Sequence, residues 1–225
     1  MAIRTVNMSA RPLGQSTSTS NEGPRGKYKA RRTCKDMDQP PLFFFKPNEA
    51  HGEFCQWYPA TFTVSKEEMS ALIGHAIDAD DPEGWQPIYF HCAEQFMMYC
   101  KAGRFHDSET QRLVLATRDP KEQKRLARLT KGFDAASWDE IKSEVVVAGN
   151  MAKFGQNRHL KDMLLSTGDR LLAEAASQDR VWGIGFTARE AMMHRDHSRW
   201  GENRLGKALM VVRERLREEA ARAYA

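Results

Sequence analysis

The side chains most suggestive of chemistry in this 225-residue sequence are two charges on a segment built for burial. Phe90-His91-Cys92-Ala93-Glu94-Gln95-Phe96-Met97-Met98-Tyr99-Cys100-Lys101-Ala102-Gly103 follows Pro87, has good helical length and is apolar on nearly every face, the pattern of a core helix. Glu94 and Lys101 stand seven residues apart, two full turns, which sets them on one face with Met98 between them and Phe105 beyond. That is too far for an i,i+4 surface pair. A carboxylate and an ammonium on a buried helix are costly unless each finds partners or a wet cavity. Either both sit at the rim of the core, each paired with a neighbour, or they line a cleft where Glu94 exchanges protons and Lys101 meets a phosphate or a sugar carbonyl. Periodicity alone fits both.

Other chemistries are poorly represented. Cys34, Cys55, Cys92 and Cys100 form no CxxC, so neither a metal site nor any other cofactor is expected, and reduced thiols in a cytoplasmic or nuclear protein are the natural reading. Gly183-Ile184-Gly185 lacks the third glycine and the βαβ setting of a dinucleotide fingerprint. No run is apolar for long enough to cross a membrane, and no apolar stretch follows Arg4 and Arg11 to make a secretory signal.

The elements that must position such a site are marked by caps and short apolar runs. Leu42-Phe43-Phe44-Phe45, between Pro41 and Pro47, suits a buried strand, and a second strand is expected within Trp57–Val64. Ser65 with Glu68, Ser108 with Gln111 and Ser137 with Glu140 have capping-box spacing, while Asp119-Pro120 with Glu122 is another helix start. Helices are predicted near 66–77, 109–117, 120–130 and 138–153, with Gly132 stopping the third of them. A short helix at Leu160–Leu165 ends at Thr167-Gly168, a strand fits Leu171–Ala175, and an amphipathic helix starts near Asn203. The predicted fold class is α+β, a helix-dominated single domain with a few short strands over residues 39–225, and no internal repeat is evident.

Charge divides the chain differently. Residues 1–35 carry eight cations against Glu22 alone, a net of +7 within a total of +4, so the remainder is net −3. With Ser, Thr, Gly and Pro dominating Pro12 to Lys29, residues 1–38 read as a disordered basic tail. The body has no electrostatic sign of gripping long nucleic acid, whereas the tail could contact DNA.

Several blocks resemble the NADAR family, named for its link to NAD and ADP-ribose. Phe43-Phe44-Phe45 followed by Gly52-Glu53-Phe54-Cys55-Gln56-Trp57-Tyr58-Pro59 is similar to the family's entry motif, and Cys92 to Met98 with Lys101-Ala102 to its acidic helix. Further blocks are Gly149-Asn150 with Lys153-Phe154-Gly155-Gln156-Asn157, Leu164 to Gly168, Glu174-Ala175, Asp179 to Gly185, and Trp200 to Met210. They occur in the family's order across about residues 42–217. Two departures stand out: Ser65–Gly84 looks like an insertion relative to compact bacterial members, and Glu202 stands where the family often has Lys.

The resemblance implies hydrolysis of an N-glycosidic bond to a phosphorylated ribose. Some members remove ADP-ribose from guanine, and others destroy phosphoribosylamino-pyrimidine intermediates of riboflavin synthesis. Breaking such a bond builds positive charge on the ribose and negative charge on the base, so an acid for the base and a carboxylate near the sugar are needed. Glu94 and Asp179 are the candidates, although Asp179 also reads locally as a turn aspartate. Lys101 either holds phosphate or forms a Schiff base with ring-opened ribose. Trp57, Trp138, Trp182 and Trp200 offer flat faces, and Gly183 and Gly185 allow close approach to a ligand. Phe44, Lys153, Asn157, Asn203 and Gly206 enter as substrate-binding candidates on the resemblance alone. The expected substrate is ADP-ribosylated guanine in a nucleic acid or nucleotide. The rivals are the riboflavin-intermediate N-glycosidase, a non-catalytic ADP-ribose-binding module, and a nucleic-acid scaffold resting on the tail.

Overall fold

The computed structural model describes residues 39–77, 86–193 and 196–223. The tail of residues 1–38 and the acidic run Asp78, Asp80, Asp81 and Glu83 lie outside the described residues. Among the described residues, four strands of three residues each, β1 (Leu42–Phe44), β2 (Phe62–Val64), β3 (Ile88–Phe90) and β4 (Leu172–Glu174), accompany a set of helices. These are α1 (Lys66–Ile73), α2 (Ala93–Arg104), α3 (Ser108–Ala116), α4 (Pro120–Ala127), α5 (Ala135–Gln156), α6 (Arg158–Ser166), α7 (Ala188–Met193) and α8 (Arg204–Ala223). The helix-dominated α+β class is as predicted.

Helix α2 is the centre of the molecule. Phe96, Met97, Met98, Tyr99 and Cys100 are all buried, so nearly every face of the helix is covered, by α1, α3, α4 and α5. α8 lies across α5 and β4, burying Leu205, Leu209, Val212 and Leu216. β1 pairs in parallel with β4, matching Leu42 to Leu172 and Phe44 to Glu174. Leu42 and Phe44 enter the main core, whereas Phe43 joins Trp200, Ile184 and Ala173 in a smaller cluster beneath. That alternation is what a two-residue period demands.

Four expectations need correction. Pro87 leads into β3, not into the helix, which starts only after Cys92 has turned the backbone. The Trp57–Val64 strand shrinks to β2 because residues 55–60 form a loop held by its own turns. Ser108 and Ser137 do not cap: Asp107 accepts from Thr110 N at 3.0 Å and Asp134 from Ser137 N at 2.7 Å. A carboxylate beside a helix start gains from the macrodipole as well as the hydrogen bond, and so displaces a nearby serine. Finally, α7 was unanticipated although Thr187 and Glu190 bond reciprocally across its first turn. The Ser65–Glu68 box and the Asp119-Pro120 start are present as expected.

Candidate active site

Glu94 occupies the first turn of α2 and is only 5% exposed. Its backbone N–H donates to Gln56 O at 3.0 Å, which locks the 55–57 loop onto the helix start. Trp57, next along that loop, hydrogen-bonds the Glu94 carboxylate with its side chain. Burial pushes the Glu94 carboxyl up to about 6; Lys124 and Trp57 oppose the rise and Asp179 adds to it.

A second buried carboxyl lies within electrostatic reach of the first. Glu174 ends β4, its Oε2 is buried without a hydrogen-bond partner, and burial raises its pKa to about 8, with Asp179 and Glu94 adding and Lys124 opposing. The backbone around it is fixed from α8. Asn203, held in the left-handed region at φ 53°, accepts from Glu174 N at 3.1 Å and donates to Leu172 O at 2.8 Å. A Cβ on Gly206 would lie 2.2 Å from Leu172 O, so only glycine lets α8 approach β4 this closely. Gly206→Ala is expected to lose about 1–3 kcal/mol of stability. Thermal unfolding would check this, and an unchanged Tm would show that α8 can move away freely.

Asp179 is a turn aspartate within electrostatic reach of both glutamates. Its Oδ1 accepts from Val181 N at 2.9 Å and Trp182 N at 2.8 Å, the signature of a turn aspartate, yet its charge also bears on Glu94 and Glu174. Gly183 sits where a Cβ would lie 2.9 Å from Glu174 O and 3.0 Å from Asp179 O, so the turn folds tightly against β4. Gly185, at φ 72°, is covered by the Arg180 side chain. Trp182 is partly exposed, with Lys142 Nζ 5.9 Å from its ring centre.

Glu94, Glu174 and Asp179 thus form one carboxylate cluster, with Lys124 of α4 the cation common to Glu94 and Glu174. Burial raises the pKa of both Glu94 and Glu174, so this pair keeps a proton to give near neutral pH. Among the described residues no group of three or more His, Cys, Asp or Glu is placed to hold a metal ion.

Trp57 is also a wall of an adjoining cleft of about 510 Å³, lined further by Thr61, His91, Arg118, Pro120 and Asn157. Burial and the nearby Arg118 lower the His91 pKa, favouring the neutral ring. Asn157 spends its side-chain N–H groups on Thr61 O and Lys153 O, at 3.0 and 2.7 Å, and so shapes the cleft rim.

The remaining candidates stand elsewhere. Lys101 is half-buried over Phe133, with Nζ 4.2 Å from the ring centre, and burial together with Arg128 lowers its pKa. It shares a face of α2 with Glu94, about 10 Å along the axis, but is not among the charges that bear on the cluster. Lys153 is fully buried and donates to Glu53 O at 2.8 Å and Cys55 O at 2.9 Å. It fastens the loop that carries Trp57 to α5, and burial lowers its pKa to about 8. Trp138 and Phe44 lie in the main core.

Sequence reasoning missed Glu174, Lys124 and Arg118 as site residues. Glu174 ends an apolar run too short to show a period, and the two cations belong to a stretch that reads as ordinary helix surface.

Residues 43–217 match the NADAR domain. The chain is 34% identical over 163 residues to a protein named N-glycosidase R617 of Acanthamoeba polyphaga mimivirus, covering 72% of this chain and 85% of the relative. It is 31% identical over 184 residues to the riboflavin biosynthesis protein VVA0006 of Vibrio vulnificus (strain YJ016), spanning 82% of this chain but only 40% of that longer protein. Its fold is like that of the NMR structure of the E. coli protein YbiA, with a TM-score of 0.57 at 23% identity, over 80% of this chain and 86% of that one. With the domain match spanning most of its length, the chain belongs to the NADAR domain family.

Proposed function

We propose that this protein is an N-glycosidase that cleaves the bond between ADP-ribose and a guanine base, in a nucleic acid or a nucleotide. The observation that carries the reading is the carboxylate cluster beside Trp57, a side chain shared by Glu94 and the cleft. The base lies against Trp57 in the cleft, with its glycosidic bond directed toward Glu94. Glu94 gives its proton to the departing nitrogen, and Asp179 faces the positive charge that grows on the ribose. Water then supplies hydroxide to the sugar carbon and returns a proton to the carboxylates, so the cluster ends as it began. Glu174 holds that proton between turnovers.

Arg118 favours guanine over a pyrimidine, since its planar donors match the O6/N7 edge of guanine. The second reading, a glycosidase of phosphoribosylamino-pyrimidines, draws on the likeness to the Vibrio riboflavin biosynthesis protein. Offering ADP-ribosylated guanosine and a phosphoribosylamino-pyrimidine side by side tests both. Release of guanine supports the first reading, release of the pyrimidine alone supports the second, and release of neither removes the glycosidase assignment.

Lys101 then has two possible roles, and its lowered pKa leaves more of the free amine that an imine requires. If a Schiff base forms, borohydride added during turnover attaches the sugar mass to Lys101. If Lys101→Arg retains turnover and no adduct appears, the residue is a phosphate or ribose ligand.

A further inference from the structure

We propose that the exposed face of α4, with Lys121, Lys124 and Arg128, continued by Lys101 of α2, is a docking track for the backbone of single-stranded nucleic acid on either side of the modified nucleotide. This rests on the reading of the site as one that receives a base.

The direction of the face follows from Lys124. Its charge bears on Glu94 and Glu174, so its side of α4 fronts the carboxylates. Lys121 and Arg128, one turn before and one turn after, stand on that same side and are exposed. Arg128 in turn lies close enough to Lys101 to lower its pKa, so like charges are gathered at this end of the band. The two acids at the start of α4 are engaged elsewhere. Asp119 caps Lys121 N at 3.0 Å, and Glu122 pairs with Arg125 at 2.7 Å. In a body of net −3, a band of four cations along one rim of the site is a local reversal of charge.

The spread of the band selects the ligand. Lys121 and Arg128 are about 10 Å apart along the helix axis, wider than one diphosphate and suited to separate phosphates along a strand. Aromatic faces stand at both ends. Phe133, 45% exposed, lies under Lys101, and Tyr89, 52% exposed, meets His91 of the cleft wall edge-on at 5.2 Å. Exposed rings interleaved with cations suit unpaired bases, which stack on such rings without regard to sequence.

The test measures binding of a short, unmodified, fluorescent single-stranded DNA to the full chain between about 50 and 200 mM salt. The double variant Lys121→Glu with Arg128→Glu is compared with Lys207→Glu plus Arg215→Glu, which makes the same charge change on exposed positions of α8. The α4 variant should bind at least about tenfold more weakly, with a log–log salt slope flatter by about 1.4, the contribution of two phosphate contacts on a single strand. The α8 variant should keep the original slope. Equal losses in the two variants, or no binding by the unaltered chain, would overturn the proposal. So would a matching loss of turnover on an ADP-ribosylated mononucleotide, because the cations would then serve the small substrate's own phosphates. If the mononucleotide is not hydrolysed by any form, the base reading fails while the binding result still stands.

Discussion

Glu94→Gln is expected to fold normally, to keep its affinity for ADP-ribose, and to lose turnover by about 10²–10⁴-fold, the usual contribution of a general acid. The amide has the shape of the acid and can still accept the Trp57 hydrogen bond, so the loop from Cys55 to Trp57 has no reason to move. What disappears is the transferable proton in a carboxyl that burial holds near 6, close enough to neutrality to be partly protonated when substrate arrives. The measurement is single-turnover base release alongside a binding isotherm for ADP-ribose. Unchanged turnover would remove Glu94 from the mechanism. A variant that unfolds would instead make Glu94 a buried structural charge, the simpler reading its helix also allowed.

The readable part of this site was the part that violates a pattern. Glu94 stood out because a carboxylate on an all-apolar helix needs a reason, and the structure supplies Trp57 and Lys124 as its partners. Glu174 violated nothing visible. A glutamate at the end of a three-residue strand is an ordinary strand end, and only pairing with β1 and anchoring by Asn203 turn it inward. Such partners lie 29 residues away in one case and across a parallel ladder in the other, where local spacing has no reach. Lys153 shows the opposite error. The resemblance offered it as a ligand for substrate, but both of its hydrogen bonds hold backbone carbonyls, so its charge arranges the Trp57 loop from behind. Helix starts were legible to within a few residues, since their signals are local. The competition between a serine and a nearby aspartate for the same N–H was not.

Glu174→Gln is expected to make the protein more stable and less active at once, with the gain in stability growing as pH rises above about 4.5. The Glu174 carboxyl ionises near its ordinary 4.5 when the chain is unfolded and near 8 in the fold, where burial, Asp179 and Glu94 all disfavour its charge. Between those values the folded state binds more protons than the unfolded state. Stability therefore falls as pH rises through this window, by up to about 1.4 kcal/mol per pH unit for a full one-proton difference. Below 4.5 both states are protonated and nothing is lost, and above 8 the loss is complete. A glutamine never ionises, so the variant escapes the whole decline. Its Tm should lie close to the parent's at pH 5 and exceed it by roughly 10 °C or more at pH 8, since the decline across the window sums to about 4 kcal/mol and about 1 kcal/mol moves Tm by roughly 2–4 °C in a chain of this size. Turnover should drop across the range, because the cluster loses the carboxyl that stores its proton, and the parent's own rate should decline as pH rises through 8. Thermal unfolding and base release measured on both proteins at the two pH values test the pair of effects together. Equal Tm differences at pH 5 and pH 8 would mean that Glu174 is not held protonated by the fold. A stabilised variant with full activity would leave the proton store to Glu94 alone.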